Sequence, residues 1–149
     1  MLNFLNGESF TRGRAAYLDA GADAAEGTAK IFVRIEAAGL VGPITAQLDT
    51  GAAWSVLNVE IAEALGLLGG DGEQIVLNTR LGNFEGRLEQ TTLTIVADEG
   101  ESLDVDATVF VSEGWNLPTF IGYMGLLERI RFALDPNVNE FYFGGYVVV

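Results

Sequence analysis

An all-β fold, closed or nearly closed into a barrel and carrying one or two short helices, is what these 149 residues predict. Three observations carry that expectation. Apolar and polar residues alternate with period two in several short runs. Glycine is abundant, at 19 residues against 3 prolines, which supplies turns between the runs. Helical signals are confined to two brief segments near residues 59–65 and 126–130. A chain of this length buries about two-thirds of its unfolded surface, so a single core suffices without disulfides or metal.

Taken in order, residues 1–28 are rich in Ala and Gly with no strong period, and are compatible with an arm, an edge strand or a removable leader. The domain proper is expected over 29–149. Ile31, Val33 and Ile35 alternate with Phe32, Arg34 and Glu36, and a turn from Gly39 to Gly42 leads into an apolar-alternating run ending at Leu48. That is a hairpin delivering Asp49. Asn58 is placed to cap a helix over 59–65, with Glu60 in its first turn, Ile61 and Leu65 on one face and Gly66 at its end. Strands are expected at 73–79 and 87–97, with the glycines of Arg80-Leu81-Gly82-Asn83-Phe84-Glu85-Gly86 forming a mobile hairpin tip. After a turn at 98–101, Leu103, Val105, Ala107, Val109 and Val111 alternate against Asp104, Asp106 and Thr108 as a half-buried strand. A loop through Pro118 gives Phe120-Ile121-Gly122, a helix-like segment over 126–130, and strands at 131–134 and 140–143 about a turn at Asp135-Pro136-Asn137.

Composition narrows the chemistry. The chain has no cysteine and no histidine, which excludes disulfides, thiolate nucleophiles, Ser-His triads and zinc sites built on thiolate or imidazole. Asp and Glu are the remaining common acid and base side chains. A net charge of −13, from 8 basic and 21 acidic residues, repels nucleic acid. Asp71-Gly72-Glu73 and Asp104-Val105-Asp106 read as turn and solvated strand face rather than calcium ligands. The first residues have neither a basic start nor a long apolar core, and no run is long enough for a membrane span, so a cytoplasmic protein without membrane association is expected.

One motif carries more. Asp49-Thr50-Gly51 occurs once, at the end of a strand, where Gly releases the chain into a sharp turn and leaves the carboxylate presented. All three residue types are also turn formers, so the tripeptide alone is equally compatible with a simple strand end. The longer segment Ala46-Gln47-Leu48-Asp49-Thr50-Gly51-Ala52-Ala53-Trp54-Ser55-Val56-Leu57, followed by a helix, resembles the active-site loop of the retropepsin-like aspartic proteases. Thr119-Phe120-Ile121-Gly122-Tyr123-Met124-Gly125-Leu126-Leu127 resembles the family's second signature. The likeness runs in order from about residue 30 to Gly144.

The resemblance implies a retropepsin fold and an aspartic endopeptidase that needs no metal or cofactor. Its chemistry requires two carboxylates sharing one proton, one accepting a proton from water and the other polarising the scissile carbonyl. One Asp-Thr-Gly per chain then implies a two-fold homodimer with Asp49 on the axis, because only an isologous contact sets identical residues face to face. By the same resemblance Asp49 is the catalytic acid or base, Thr50 locks the two loops together, and Gly51 admits the backbone close to the carboxylates. Arg80, Leu81, Gly82, Asn83, Phe84 and Gly86 belong to a flap over a protein or peptide substrate. Ala52, Ile121 and Gly122 line the site.

Some positions depart from the family. Ala52 stands where many pepsin-like relatives carry Ser or Thr; a methyl donates no hydrogen bond, which implies a less acidic pH optimum. Ala53 and Tyr123 replace an acidic residue and an arginine that pair near the viral interface. The flap lacks the dense glycines of viral relatives. These departures keep a second reading open, a non-catalytic peptide-binding or assembly module on the same fold. The uncharged end Gly144-Gly145-Tyr146-Val147-Val148-Val149 is expected to pair with another chain or to cover its own core.

Overall fold

The computed structural model describes residues 1–20 and 30–146. Twelve strands and one helix follow in chain order: β1 (Gly13–Ala16), β2 (Leu18–Ala20), β3 (Lys30–Glu36), β4 (Ile44–Leu48), β5 (Ser55–Val56), α1 (Val59–Ala64), β6 (Glu73–Thr79), β7 (Gly82–Ile95), β8 (Glu99–Gly100), β9 (Leu103–Val111), β10 (Phe120–Ile121), β11 (Ile130–Asp135) and β12 (Glu140–Gly145). The larger sheet runs β2-β3-β4-β10-β5-β9-β7-β6, and an added pairing of β3 with β7 closes it into a ring. The ring runs from β3 round to β7, and β2 and β6 lie outside it as the remaining edge strands. A second sheet, β11-β12-β1-β8, packs against the barrel.

Alternation places the core. Val33 and Ile35 on β3, Leu93 and Ile95 on β7, and Val105, Ala107 and Val109 on β9 all turn inward and are buried, while Asp104 and Asp106 stay exposed. Phe141 and Phe143 carry the second sheet into the same cluster. Helix α1 starts as its cap residue dictates: Asn58 Oδ1 accepts the Glu60 backbone N–H at 2.9 Å, and Gly66 follows the helix with φ +73°. Its most buried residue is Ala62, with Ile61 and Leu65 half-buried on either side of it.

The structure corrects one expectation and refines three. Strand β7 begins at Gly82, not at residue 87, so the hairpin tip is the two-residue turn Arg80-Leu81 and Asn83 to Gly86 are strand residues paired with β6. Thr79 Oγ1 ties that turn, accepting from Leu81 N–H at 3.1 Å and donating to the Gly82 carbonyl at 2.9 Å. The glycines misled because they usually mark loops; at Gly86 the reason is close packing, since a Cβ there would collide with the Val111 carbonyl and lie 2.7 Å from the Phe110 ring. The segment near 126–130 is a single 3₁₀ turn, Leu127–Arg129. Residues 13–20 form β1 and β2: β2 is an edge strand of the larger sheet, one of the forms expected for this segment, and β1 lies between β12 and β8, with Ala15 and Tyr17 buried. The last strand runs on to Gly145, and the expectation for 147–149, like that for 21–28, falls outside the described residues.

Asp98 ties β1 to the barrel. Its carboxylate accepts the Ala16 backbone N–H at 2.7 Å and pairs with the Arg34 guanidinium, and these contacts, the amide first, hold it below the usual carboxylate range. A depressed folded-state value means stabilisation that is present above the unfolded value and lost as pH falls through the folded one. The melting temperature of the wild type is therefore expected to fall more steeply than that of Asp98→Asn below about pH 4, with the gap between the two closing in acid. Parallel thermal melts from pH 6 to pH 2.5 check this.

No helix among the described residues is long and apolar enough to cross a membrane.

Candidate active site

Strand β4 ends at Leu48 and hands the chain to Asp49, whose backbone N–H donates to the Ile121 carbonyl at 2.9 Å. The next turn closes on itself. Ala52 N–H donates to the Asp49 carbonyl at 3.2 Å, and Gly51 N–H donates to Asp49 Oδ1 at 3.0 Å, an Asx turn that aims the carboxylate. Among the described residues this is the carboxylate's one hydrogen-bond donor. Asp49 is half-buried, while Thr50, Gly51 and Ala53 are exposed. The loop presents one acid to open space.

What holds the loop is a crossing of strands. β10 lies between β4, to which it is parallel with Ile121 opposite Leu48, and β5, to which it is antiparallel with Phe120 opposite Val56. The crossing is so close that a Cβ on Gly122 would overlap the Trp54 carbonyl and sit 2.8 Å from Ser55 N. Gly122 N–H donates to Ser55 Oγ at 2.9 Å, and Ser55 is fully buried. Tyr123 N–H and Met124 N–H then donate to the Ala52 and Ala53 carbonyls at 2.9 and 2.8 Å. Bonded along both flanks, the Asp loop has little freedom to move its carboxylate, as a site built on rigid elements requires.

The β6–β7 hairpin reaches this region through apolar contacts. Its residues Ile75, Leu77, Phe84 and Leu88 pack against Val56, Phe110 and Trp115, as do Trp54 and Phe120 from the Asp loop and its crossing strand. Phe84 meets Trp115 edge-on, with ring centroids 4.8 Å apart and planes at 68°, and Trp115 meets Phe120 at 6.0 Å. Trp115 is fixed in turn: its Nε1–H donates to the Pro118 carbonyl at 3.1 Å, and its own carbonyl accepts Val59 N–H at 2.8 Å at the start of α1.

No protein-family model and no curated protein matches the chain. Among solved structures, a retropepsin-like aspartic protease from Rickettsia conorii is similar, with a TM-score of 0.58 over 87% of this chain and 98% of that one. The fold is retropepsin-like. Sequence identity is 18%, so the likeness concerns the fold alone.

Within this retropepsin-like fold the residues singled out from sequence fall into two groups. Asp49, Gly51, Ala52, Ile121 and Gly122 form one hydrogen-bonded unit at the crossing, with Thr50 exposed in the loop between Asp49 and Gly51. Arg80, Leu81, Gly82, Asn83, Phe84 and Gly86 lie on the hairpin, and contact between the groups runs through Trp115, Val56 and Phe120. Three residues escaped the sequence reading. Ser55 carries a detectable signal, a lone hydroxyl inside the apolar run Trp54-Val56-Leu57. Trp115 carries none. Thr119 opens the second-signature segment, but nothing in that segment shows its role: its Oγ1 accepts Asn58 N–H at 3.0 Å, joining the crossing to the helix cap. Among the described residues no group of three or more carboxylates is arranged to hold a metal ion.

Beside the Asp loop the surface is aromatic. Tyr123 and Met124 are about half exposed, and the Tyr123 carbonyl accepts Glu128 N–H at 2.9 Å. Glu128 in turn accepts the Tyr146 hydroxyl at 2.9 Å on its own carbonyl. The Arg131 guanidinium lies over Tyr146, Phe4 and Phe10 at 5.6, 5.1 and 5.9 Å. Exposed apolar side chains thus stand beside the Asp loop, at Tyr123 and Met124, and around Arg131, at Tyr146 and Phe4.

Proposed function

We propose that this chain is an aspartic endopeptidase that works as a homodimer. The observation that carries the proposal is the single Asp49 carboxylate, fixed by the strand crossing yet open on one side. Each chain supplies half of a dyad, and a two-fold contact brings the other half. In that pair the ionised Asp49 takes a proton from water as the water oxygen attacks the scissile carbonyl carbon. The protonated Asp49 of the other chain gives its proton to the carbonyl oxygen. Collapse of the tetrahedral intermediate passes a proton to the leaving amine and breaks the C–N bond, restoring one shared proton.

Thr50, exposed at the loop, is assigned to the contact between the two loops. Gly51 keeps side-chain bulk away from the carboxylate, and a Cβ there would lie 3.3 Å from Asp49 Oδ1. Ala52, Ile121 and Gly122 form the floor, and the hairpin from Arg80 to Gly86 closes over an extended peptide, excluding water. Tyr123 and Met124, exposed beside the Asp loop, are apolar surface suited to a second copy of the chain.

The test is a crystal structure of the assembled dimer. Asp49 carboxylates within hydrogen-bonding distance, about 3 Å, support the proposal; dimers with the two residues on separate faces refute it. The absent side-chain donor at Ala52 favours a second reading, a peptide-binding module without cleavage. That reading gains if intact dimers bind peptides and cut none between pH 3 and pH 8.

A further inference from the structure

The back of the β6–β7 hairpin holds a separate concavity. Side chains alternate across a strand pair, and Ile75, Leu77, Phe84 and Leu88 turn toward the Trp115 cluster. Gln74, Val76, Glu85 and Arg87 therefore face the other way, with Gln74 opposite Arg87 and Val76 opposite Glu85. On that face a cleft of about 510 Å³ opens, bounded by Leu68 beyond α1, by Val111 at the end of β9 and by Ser112, Glu113 and Gly114 after it. Small-ligand sites span about 300–1,000 Å³. No residue of the Asp loop or of β10 lines the cleft. Its charge is unbalanced. The one cation, Arg87, is half-buried and is engaged within the chain, its Nη1–H donating to the Gly70 carbonyl at 2.8 Å. The two carboxylates, Glu85 and Glu113, are exposed, and the ion pairs among the described residues, at Arg12, Arg14 and Arg34, involve neither of them. Leu68, Val76 and Val111 make part of the lining apolar. Free carboxylates beside aliphatic surface match a side chain with a long hydrocarbon stem and a cationic end.

We propose that this cleft is a docking site for a basic segment of a protein chain, in which the stem of an arginine or lysine lies on Leu68, Val76 and Val111 and its cation pairs with Glu85 and Glu113. The net charge of −13 draws such a segment in. The inference stands apart from the peptidase reading, because the cleft neither contains Asp49 nor needs a second copy of the chain. Its position has a consequence for the hairpin. The hairpin and the loop ahead of Trp115 share the cleft and are already joined by Ser112 Oγ–H donating to the Glu85 carbonyl at 2.6 Å, so an occupant ties the one to the other.

The experiment follows the amide resonances of the isotope-labelled, full-length Asp49→Asn chain as blocked pentapeptides are added, the substitution ensuring that no peptide is consumed. Two peptides are compared, identical except for Arg or Gln at the central position. The Arg peptide is expected to shift the amides of Gly86, Glu113 and Gly114, and to bind about 3- to 10-fold more tightly than the Gln peptide, the worth of one or two exposed ion pairs. Glu85→Gln together with Glu113→Gln is expected to bring the Arg peptide down to the affinity of the Gln peptide. Raising the salt from about 50 mM to about 500 mM is expected to weaken the Arg peptide and leave the Gln peptide unchanged. Should the double variant not fold, the two peptides compared on the unaltered cleft carry the same test. Equal binding of the two peptides, an Arg peptide indifferent to the double variant, shifts confined to residues 50–53, or no shift up to about 10 mM peptide overturns the inference. Each of those outcomes leaves the proposed peptidase function standing, since none of them measures cleavage.

Discussion

Asp49→Asn is expected to abolish peptide cleavage, by about a thousandfold or more, while leaving the fold and the assembly unchanged. The substituted amide oxygen still accepts Gly51 N–H, so the Asx turn that shapes the loop survives. What disappears is the ability to hold a shared proton. No other group replaces it: the chain has no histidine or cysteine, and among the described residues no side chain donates to the Asp49 carboxylate, whose one donor is the Gly51 backbone N–H. Cleavage of an unfolded protein substrate, with circular dichroism as the folding control, is the measurement. Retained cleavage contradicts the assignment of Asp49.

Gly122→Ala is expected to cost about 3 kcal/mol or more and to remove activity with it. The added methyl overlaps the Trp54 carbonyl and lies 2.8 Å from Ser55 N. Both are backbone atoms of the strand that follows the Asp loop, so relief requires moving β5 away from β10 and breaking the bond from Gly122 N–H to Ser55 Oγ. Gly42→Ala is the control. A Cβ there meets nothing within 4 Å, and the change is expected to stay within about 0.5 kcal/mol. Urea unfolding of both variants gives the comparison, and equal stabilities would mean that the crossing is looser than its geometry implies.

The sequence made some parts of this fold easy to read and hid others, for physical reasons. The β3–β4 hairpin and β9 were legible because one face of each is buried and the other wet, which writes period two directly into the residues. Helix α1 announced itself through Asn58 and Gly66. β1 did not, because Gly13, Ala15 and Ala16 have little strand propensity of their own; the strand exists because β12 and β8 pair with it on either side. β5 and β10 are two residues each, too short to show a period, and are held by tertiary pairing alone.

The candidate site was partly legible for the same reason. Asp49 and Gly122 stand in recognisable local patterns, whereas Trp115 reaches the site from a loop more than sixty residues downstream of Asp49, and nothing in its neighbours marks it. Gly86 reads in sequence as part of a mobile hairpin tip and is a contact point between β7 and β9. Phe84, expected in the flap, packs edge-on against Trp115.

Whether Asp49 acts only opposite another Asp49 is decided by mixing. Wild-type and Asp49→Asn chains, unfolded together and refolded in varied ratio at constant total concentration, distribute at random between dimers. If activity needs one functional Asp49 from each chain, it follows the square of the wild-type fraction, so an equal mixture retains about one quarter of the wild-type rate. A rate that falls in direct proportion, to about one half, would show each chain working alone and contradict the shared site.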